Sequence, residues 1–268
     1  MTGRIVDRVL RSARYRDVDR ALLDRLAAEE LPKARSADDA VKRVKRRLHQ
    51  AVGAYRGARS ADPLAPVRAA WAGDLNDPAF RAACADVMRR HASTAERLPH
   101  LDRFYERIWA LAGGPPASVL DLGCGLGPLA LAWMGLPAEA TYHAVDVDGR
   151  ALEVIDGFLD LVGQPHSVAA CDLVSDGPPA IRADVALLLK LVPLLDRQDT
   201  GAAARVLHRL EVRHAIVTFP ARSLGGRGRG MPRTYRSRLD DLVTELGIGE
   251  VREASVPNEL VFVLSLDG

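Results

Sequence analysis

Cysteine is scarce in this chain of 268 residues: Cys84, Cys124 and Cys171 stand far apart, with no C-x-x-C pair. That spacing argues against both a disulfide framework and a cysteine zinc site, and leaves three reduced thiols in packed positions. Histidines at metal-binding spacing are missing too. His91, His143, His166 and His214 stand singly with no H-x-x-x-H pair, so no metal is expected. Lysine is rare, 4 residues against 33 arginines. The bias reads as GC-rich coding rather than chemistry, although arginine does pair bidentately with phosphate where lysine does not. No apolar run is long enough to span a bilayer, and the opening MTGRIVDRVLRSARYRDVDR carries charges where a signal peptide has its apolar core. A soluble cytoplasmic protein without a membrane partner is the expectation.

What is present is enough for a sizeable core, since 48% of residues are hydrophobic. That content suits one large domain with a smaller one, or two modest domains. The net charge is only +2, yet residues 1–60 hold 16 basic and 8 acidic side chains, leaving 21 basic and 27 acidic in the remainder. A basic N-terminal segment of +8 therefore joins a body of −6. Such asymmetry points towards nucleic acid or an anionic membrane surface.

Up to about residue 110 the apolar spacing is helical. Ser36 followed by Asp39 resembles a capping box with Asp in place of Glu, and Ala40, Val41, Val44, Leu48, Ala51 and Val52 then share one face. Lys42, Arg43, Lys45, Arg46, Arg47 and His49 occupy the other. This basic amphipathic helix is either an RNA-docking surface or simply a solvated face, and the sequence leaves both open. Further helices are predicted from Pro78 to Arg90 and through RLPHLDRFYERIWALAGG, with Pro115-Pro116 marking a boundary between residues 1–112 and 113–268. Beyond it, short apolar runs at 118–123, 141–147, 166–173, 183–190 and 214–220 alternate with helical stretches, the pattern of a parallel sheet covered on both faces. A closing strand pair, 250–255 and 260–266, has no helix between its members and predicts a hairpin with one antiparallel strand at the end of the sheet.

The first strand runs into Asp121-Leu122-Gly123-Cys124-Gly125-Leu126-Gly127-Pro128. A glycine-rich turn at the carboxyl end of strand one brings backbone N–H groups close to a ligand, so this is a cofactor site by geometry. Dinucleotide binders want G-x-G-x-x-G, and Pro128 stands where the third glycine falls. Asp146 closes the second strand about twenty residues on, suited to ribose hydroxyls. Asp172 follows the third, where a carboxylate can receive an adenine amino group. Three strand-end acids in order outweigh the bland reading that applies to each alone. Cys124 invites a nucleophile reading, but it lies inside the turn and has no neighbouring base.

The spacing D-x-G-x-G-x-G resembles motif I of the S-adenosylmethionine methyltransferases. Several blocks together are similar to one family, the aminoglycoside-resistance 16S rRNA (guanine-N7) methyltransferases acting on guanine 1405 of the 30S decoding region. These are HASTAERLPHLDRFYERI (91–108), SVLDLGCGLGPLAL (118–131), HAVDVD (143–148), ACDL (170–173), LLLKLVPLLDRQ (187–198) and TFPARSLGGRGRGM (218–231). The resemblance implies an α/β, Rossmann-like class I methyltransferase domain with a helical, ribosome-docking N-terminal extension. It implies S-adenosyl-L-methionine as cofactor and the 30S subunit as partner of a monomer. Arg97 is then expected at the methionine carboxylate, with His91, Ala92 and Ser93 lining the same pocket. Gly123 and Gly125 would form the turn, Asp146 would hold the ribose, Asp172 and Leu173 the adenine, and Leu189 with Gln198 would close the methionine side. Tyr55 is a further expected contact on a weakly matching block. Lys42, Arg43, Lys45, Arg46, Arg47, Lys190, Arg222, Arg227 and Arg229 are expected to meet RNA. Two departures stand out: Gly127 replaces a bulkier polar residue, often Asn, and Asp196 replaces Glu.

Guanine N7 carries an unprotonated lone pair at neutral pH, so methyl transfer to it needs no general base. No catalytic acid–base residue is therefore expected, and rate comes from proximity and orientation, an effect of up to roughly 7–11 kcal/mol. A stacked target guanine would have to be rotated out, costing a few kcal/mol. Alternatives are adenine-N1 methylation in the same rRNA region, a non-catalytic RNA-binding module on a methyltransferase fold, and a small-molecule methyltransferase. The arginine-glycine stretch FPARSLGGRGRGMPRTY, following the fifth strand on the carboxyl edge, reads as an active-site loop.

Overall fold

The computed structural model describes residues 1–53, 62–220, 231–257 and 259–266. Strands β1 (Ser118–Leu122), β2 (Thr141–Asp146), β3 (His166–Ala170), β4 (Arg182–Leu189), β5 (Glu211–Pro220), β6 (Val251–Val256) and β7 (Glu259–Ser265) form one sheet in the order β3-β2-β1-β4-β5-β7-β6. The first five are mutually parallel where they pair, and β7 runs antiparallel to both β5 and β6. The expected antiparallel strand is thus present, but one position in from the edge. The burial pattern explains this: β7 is buried along nearly its whole length and needs neighbours on both sides. Val251 and Glu253 of β6 are exposed, as suits an edge strand.

Three helical units surround this sheet. Helices α1 (Thr2–Leu10), α2 (Arg20–Glu30) and α3 (Ala37–Leu48) enclose a core of their own, built from residues such as Ile5, Val9, Leu23, Leu26, Val44 and Leu48. Helices α4 (Ala65–Ala70), α5 (Pro78–Met88), α7 (Leu101–Ala112), α8 (Leu131–Met134) and α9 (Gly149–Val162) lie towards one face of the sheet, with the short α6 (Ala92–Ala95) against α5. Helices α10 (Val192–Gln198), α11 (Ala202–His208) and α12 (Met231–Leu246) cover the other. The hydrophobic cores therefore divide between Val52 and Leu64 and not at residue 112. The reason lies in α7, whose apolar stripe of Leu101, Phe104, Tyr105, Ile108 and Trp109 packs into the sheet's own core. Pro115-Pro116 marks a change of element type inside one core.

Local sequence accounts for the element ends. The Ser36 side chain accepts from the Asp39 N–H at 3.2 Å, and Asp39 reaches back to the N–H of Arg35 at 3.0 Å, one residue earlier than a capping box requires. Helix α7 stops at Gly113, whose φ of 93° suits the left-handed cap. The N-terminal unit is stitched to the β2–α9 turn: the Asp19 N–H donates to the Val147 carbonyl and the Gly149 N–H to the Asp17 carbonyl, both at 2.8 Å. These bonds bring α2 to the carboxyl edge of the sheet.

Candidate functional site

A cleft opens where β1 parts from β4, outside the carboxyl ends of the strands, at the position where open α/β sheets bind ligands. Counting its open mouth, it holds about 820 Å³. Its floor is the turn after β1. Gly123 and Gly125 have φ of 66° and 52°, a region in which a side chain is strained. A Cβ on Gly125 would lie 2.9 Å from Cε1 of His91, and one on Gly123 would lie 2.9 Å from Cδ1 of Leu191. The turn is tied to β2, because the Gly125 N–H donates to Oδ2 of Asp146 at 2.8 Å while the Asp148 N–H donates to Oδ1 at 2.8 Å. A carboxylate has about four acceptor positions. Asp146 therefore keeps capacity for hydroxyl donors from the cleft, which it lines.

Burial governs the charges here. Desolvation pushes the Asp146 carboxyl up to about 6, helped by nearby Asp148 and opposed by the backbone amides. Asp121, at the head of the turn, is pushed up to about 7 by burial, against the Tyr142 hydroxyl that donates to it at 2.8 Å and against nearby Arg97. Gly127 backs onto the same carboxylate, and a Cβ there would sit 3.4 Å from Asp121 Oδ2. The Cys124 thiol is raised well above its usual value by burial and by Asp146 and Asp121. It stays protonated, which removes it as a nucleophile.

Of the twelve residues expected to hold the cofactor, nine line this one cleft: His91, Ser93, Gly123, Gly125, Asp146, Asp172, Leu173, Leu189 and Gln198. Ala92 begins α6 and is not in the cleft wall. Arg97 is absent from the wall as well. Its guanidinium is buried and forks onto Glu259, Nε to Oε1 at 3.1 Å and Nη2 to Oε2 at 2.9 Å, while stacking 4.6 Å over the Phe104 ring. Burial pushes against charge on Glu259, yet Arg97 and Lys190 hold it below the usual carboxylate value. Tyr55 lies outside the described residues.

Lys190, expected to meet RNA, is itself part of the cleft wall. Its φ of 61° is the one positive value at a non-glycine among the described residues, and its Nζ reaches Glu96 at 2.6 Å and Glu259 at 3.3 Å. Backbone strain of this kind costs about 1–3 kcal/mol and concentrates at functional sites. On α3, Lys42 and Arg46 are exposed and Lys45 is half-buried. Arg43 and Arg47 instead turn inward to the buried Glu30 at 2.8 and 3.1 Å, and Arg47 also reaches Glu29 at 3.2 Å. Burial opposes the charge of Glu30, but Arg43 and Lys33 keep it below the ordinary range. Part of the apparent RNA face thus holds α3 to α2. Arg222, Arg227 and Arg229 lie outside the described residues.

Sequence reasoning missed the contribution of the N-terminal unit. Leu22, Ala51 and Val52 line the cleft, and Arg25 grips Asp172 from α2, Nε to Oδ2 at 2.5 Å and Nη2 to Oδ1 at 3.1 Å. The two residues are 147 positions apart, and no local pattern marks one arginine among 33 for that role.

The family model described as ribosomal RNA methyltransferase (FmrO) matches residues 11–263. A 16S rRNA (guanine(1405)-N(7))-methyltransferase of Frankia casuarinae is 42% identical over 97% of this chain and 92% of its own length. One from Micromonospora echinospora is 38% identical over 96% of this chain and 93% of its own. The crystal structure of the 16S rRNA methyltransferase RmtF in complex with S-adenosyl-L-homocysteine superposes with a TM-score of 0.82 at 33% identity, covering 98% of this chain and 97% of that one. The 16S rRNA methylase RmtB gives 0.80 at 27% identity, with coverage of 99% and 98%.

Proposed function

Because the chain belongs to the ribosomal RNA methyltransferase (FmrO) family, we propose that it is a 16S rRNA (guanine(1405)-N7)-methyltransferase using S-adenosyl-L-methionine and conferring aminoglycoside resistance. The observation that carries the reading of the site is the convergence of the two glycines, Asp146 and Asp172 on one cleft at the carboxyl edge of the sheet. The residues fit the cofactor. Gly123 and Gly125 leave open backbone where a Cβ would strain the turn, Asp146 has free acceptor positions for ribose hydroxyls, and Asp172 faces the cleft for the adenine amine.

The bound cofactor supplies an electrophilic methyl on sulfonium. The chain supplies alignment. Guanine N7 needs no deprotonation, and the titratable groups present agree with this: Cys124 remains a thiol and Asp121 is engaged with Tyr142. Rate then comes from holding N7 in line, by proximity and orientation, with the strained Lys190 fixed between Glu96 and Glu259 at the cleft wall. The O6 acceptor beside N7 attracts cations of this type and leaves the N7 lone pair open for attack. The exposed Lys42 and Arg46, with Arg222, Arg227 and Arg229, are assigned to rRNA phosphates. The working partner is the assembled 30S subunit, met by a monomer in the cytoplasm, and the unit comprising α1–α3 is the docking element.

The test is a map of the modified nucleotide. Thirty-S subunits incubated with the protein and S-adenosyl-L-methionine, then treated with borohydride and aniline, should give a primer-extension stop at guanine 1405. Absence of a stop there overturns the assignment.

A further inference from the structure

Asp172 and Gln198 form one end of the cleft, and neither is held by its own neighbours alone. The guanidinium of Arg25 approaches from outside the cleft wall and engages both, forking onto the two Asp172 oxygens at 2.5 and 3.1 Å and donating from Nη2 to Oε1 of Gln198 at 2.8 Å. Among the described residues, the remaining donors to the Asp172 carboxylate are the Val174 N–H at 3.3 Å and Ser175 Oγ at 3.1 Å. Ser175 has a single hydroxyl hydrogen, for which Asp176 at 3.0 Å competes with Asp172. The fork therefore fixes the plane of the carboxylate, and its two bonds together with that of Val174 leave one of about four acceptor positions on a residue that lines the cleft. It also fixes Gln198. With Oε1 committed to Arg25, the amide presents its NH₂ as the group free to face a ligand.

The result is an acceptor and a donor held in set orientation, the complement of a 6-aminopurine edge, where an amino donor flanks a ring-nitrogen acceptor. A 6-oxopurine reverses both and would set its carbonyl oxygen against the carboxylate. Arg25 is itself braced. It is only 12% exposed, its Nη1 donates to Glu29 at 3.0 Å, and Glu29 pairs with Arg47 of α3. Arg47 also donates to the Gln198 carbonyl at 3.3 Å.

We propose that Arg25, a residue of the N-terminal helical unit, is the positioning residue that sets the adenine selectivity of the cofactor cleft through Asp172 and Gln198. The inference rests on the reading of the cleft as the S-adenosylmethionine site. Adenine recognition is then completed by an element outside the sheet domain, and the docking unit is part of the cofactor site.

The experiment is isothermal titration of the full chain with S-adenosylhomocysteine and with its 6-oxo analogue, S-inosylhomocysteine, for the wild type, Arg25→Ala, Arg25→Lys and Asp172→Ala. The wild type should prefer the amino compound by about 10- to 100-fold, the range of a charged hydrogen bond. Arg25→Ala should lose most of that preference by weakening the adenosyl compound much more than the inosyl one, and Asp172→Ala should lose it as well. Arg25→Lys, which keeps the charge without the fork, should fall between. A preference left intact in Arg25→Ala, with or without a general drop in affinity, reduces Arg25 to a structural role and overturns the proposal. If the alanine variant does not fold, an unchanged preference in the lysine variant overturns it equally. A wild type that binds neither compound sinks the reading of the cleft itself. A wild type that binds both equally removes Asp172 from adenine recognition, and the role of Arg25 falls with it.

Discussion

At the scale of single residues, Gly125 and Asp146 act as one unit, since the amide of the first binds the carboxylate of the second. Replacing Gly125 with Ala meets both a φ of 52° and the His91 ring at 2.9 Å from the new methyl. The left-handed backbone alone costs about 1–2 kcal/mol. Thermal melting should show that loss, and titration should show a larger fall in S-adenosylhomocysteine affinity because His91 and the turn both move; unchanged affinity would remove the turn from the binding site. The two raised carboxyls make a pH prediction. Folded Asp146 and Asp121 hold their protons to about 6 and about 7, against an ordinary value of 3.8. The native state binds more protons than the unfolded chain between about pH 4 and pH 7, so their contribution to stability falls as pH rises through that window. Ribose hydroxyls donating to Asp146, as proposed, would favour its charged form, so ligand binding near pH 6 should release protons. Calorimetry in buffers of different ionisation enthalpy reads that release, and heats independent of buffer would contradict it.

At the scale of elements, the closing hairpin does more than finish the sheet. Glu259 opens β7 with its carboxylate 2% exposed, and it joins Arg97, in the segment between α6 and α7, to Lys190 at the end of β4. Removing one member of a buried pair leaves the other charge uncompensated, at a cost of about 3–5 kcal/mol. Glu259→Ala should therefore lower stability by that order in chemical denaturation. A loss below about 1 kcal/mol would mean that the two cations find other partners. The same pair explains a limit of sequence reading. The segment HASTAERLP marks Arg97 as important, but nothing local says that its guanidinium is already occupied by a residue 162 positions away. The alternation of strands and helices was readable because burial on two faces writes near-continuous apolar runs. The slot of β7 was not, because it depends on which strand is more fully covered.

At the scale of the whole molecule, the +8 of residues 1–60 divides into charges turned inward and charges left outside. Arg25, Arg43 and Arg47 bind Asp172, Glu29 and Glu30, whereas Lys42 and Arg46 face solvent. Lys42→Glu with Arg46→Glu should leave melting and cofactor affinity near wild type, while weakening 30S binding and flattening its salt dependence. Each lost phosphate contact removes roughly 0.7–0.9 log units of affinity per log unit of salt. An unchanged salt slope would show that this face does not meet RNA. Among the described residues no helix is long and apolar enough to cross a membrane.

The sequence by itself determined the α/β architecture, the glycine turn and the strand-end acids Asp146 and Asp172, because each is written in residues close together along the chain. Period, turn chemistry and strand ends are local properties. Only the tertiary structure decided that α4, α5 and α7 belong to the sheet's core, that Arg97 pairs with Glu259, and that Arg25 reaches the Asp172 end of the cleft. Those outcomes depend on which distant charges and apolar faces meet when the N-terminal unit docks at the carboxyl edge, and spacing along the chain carries no record of that meeting.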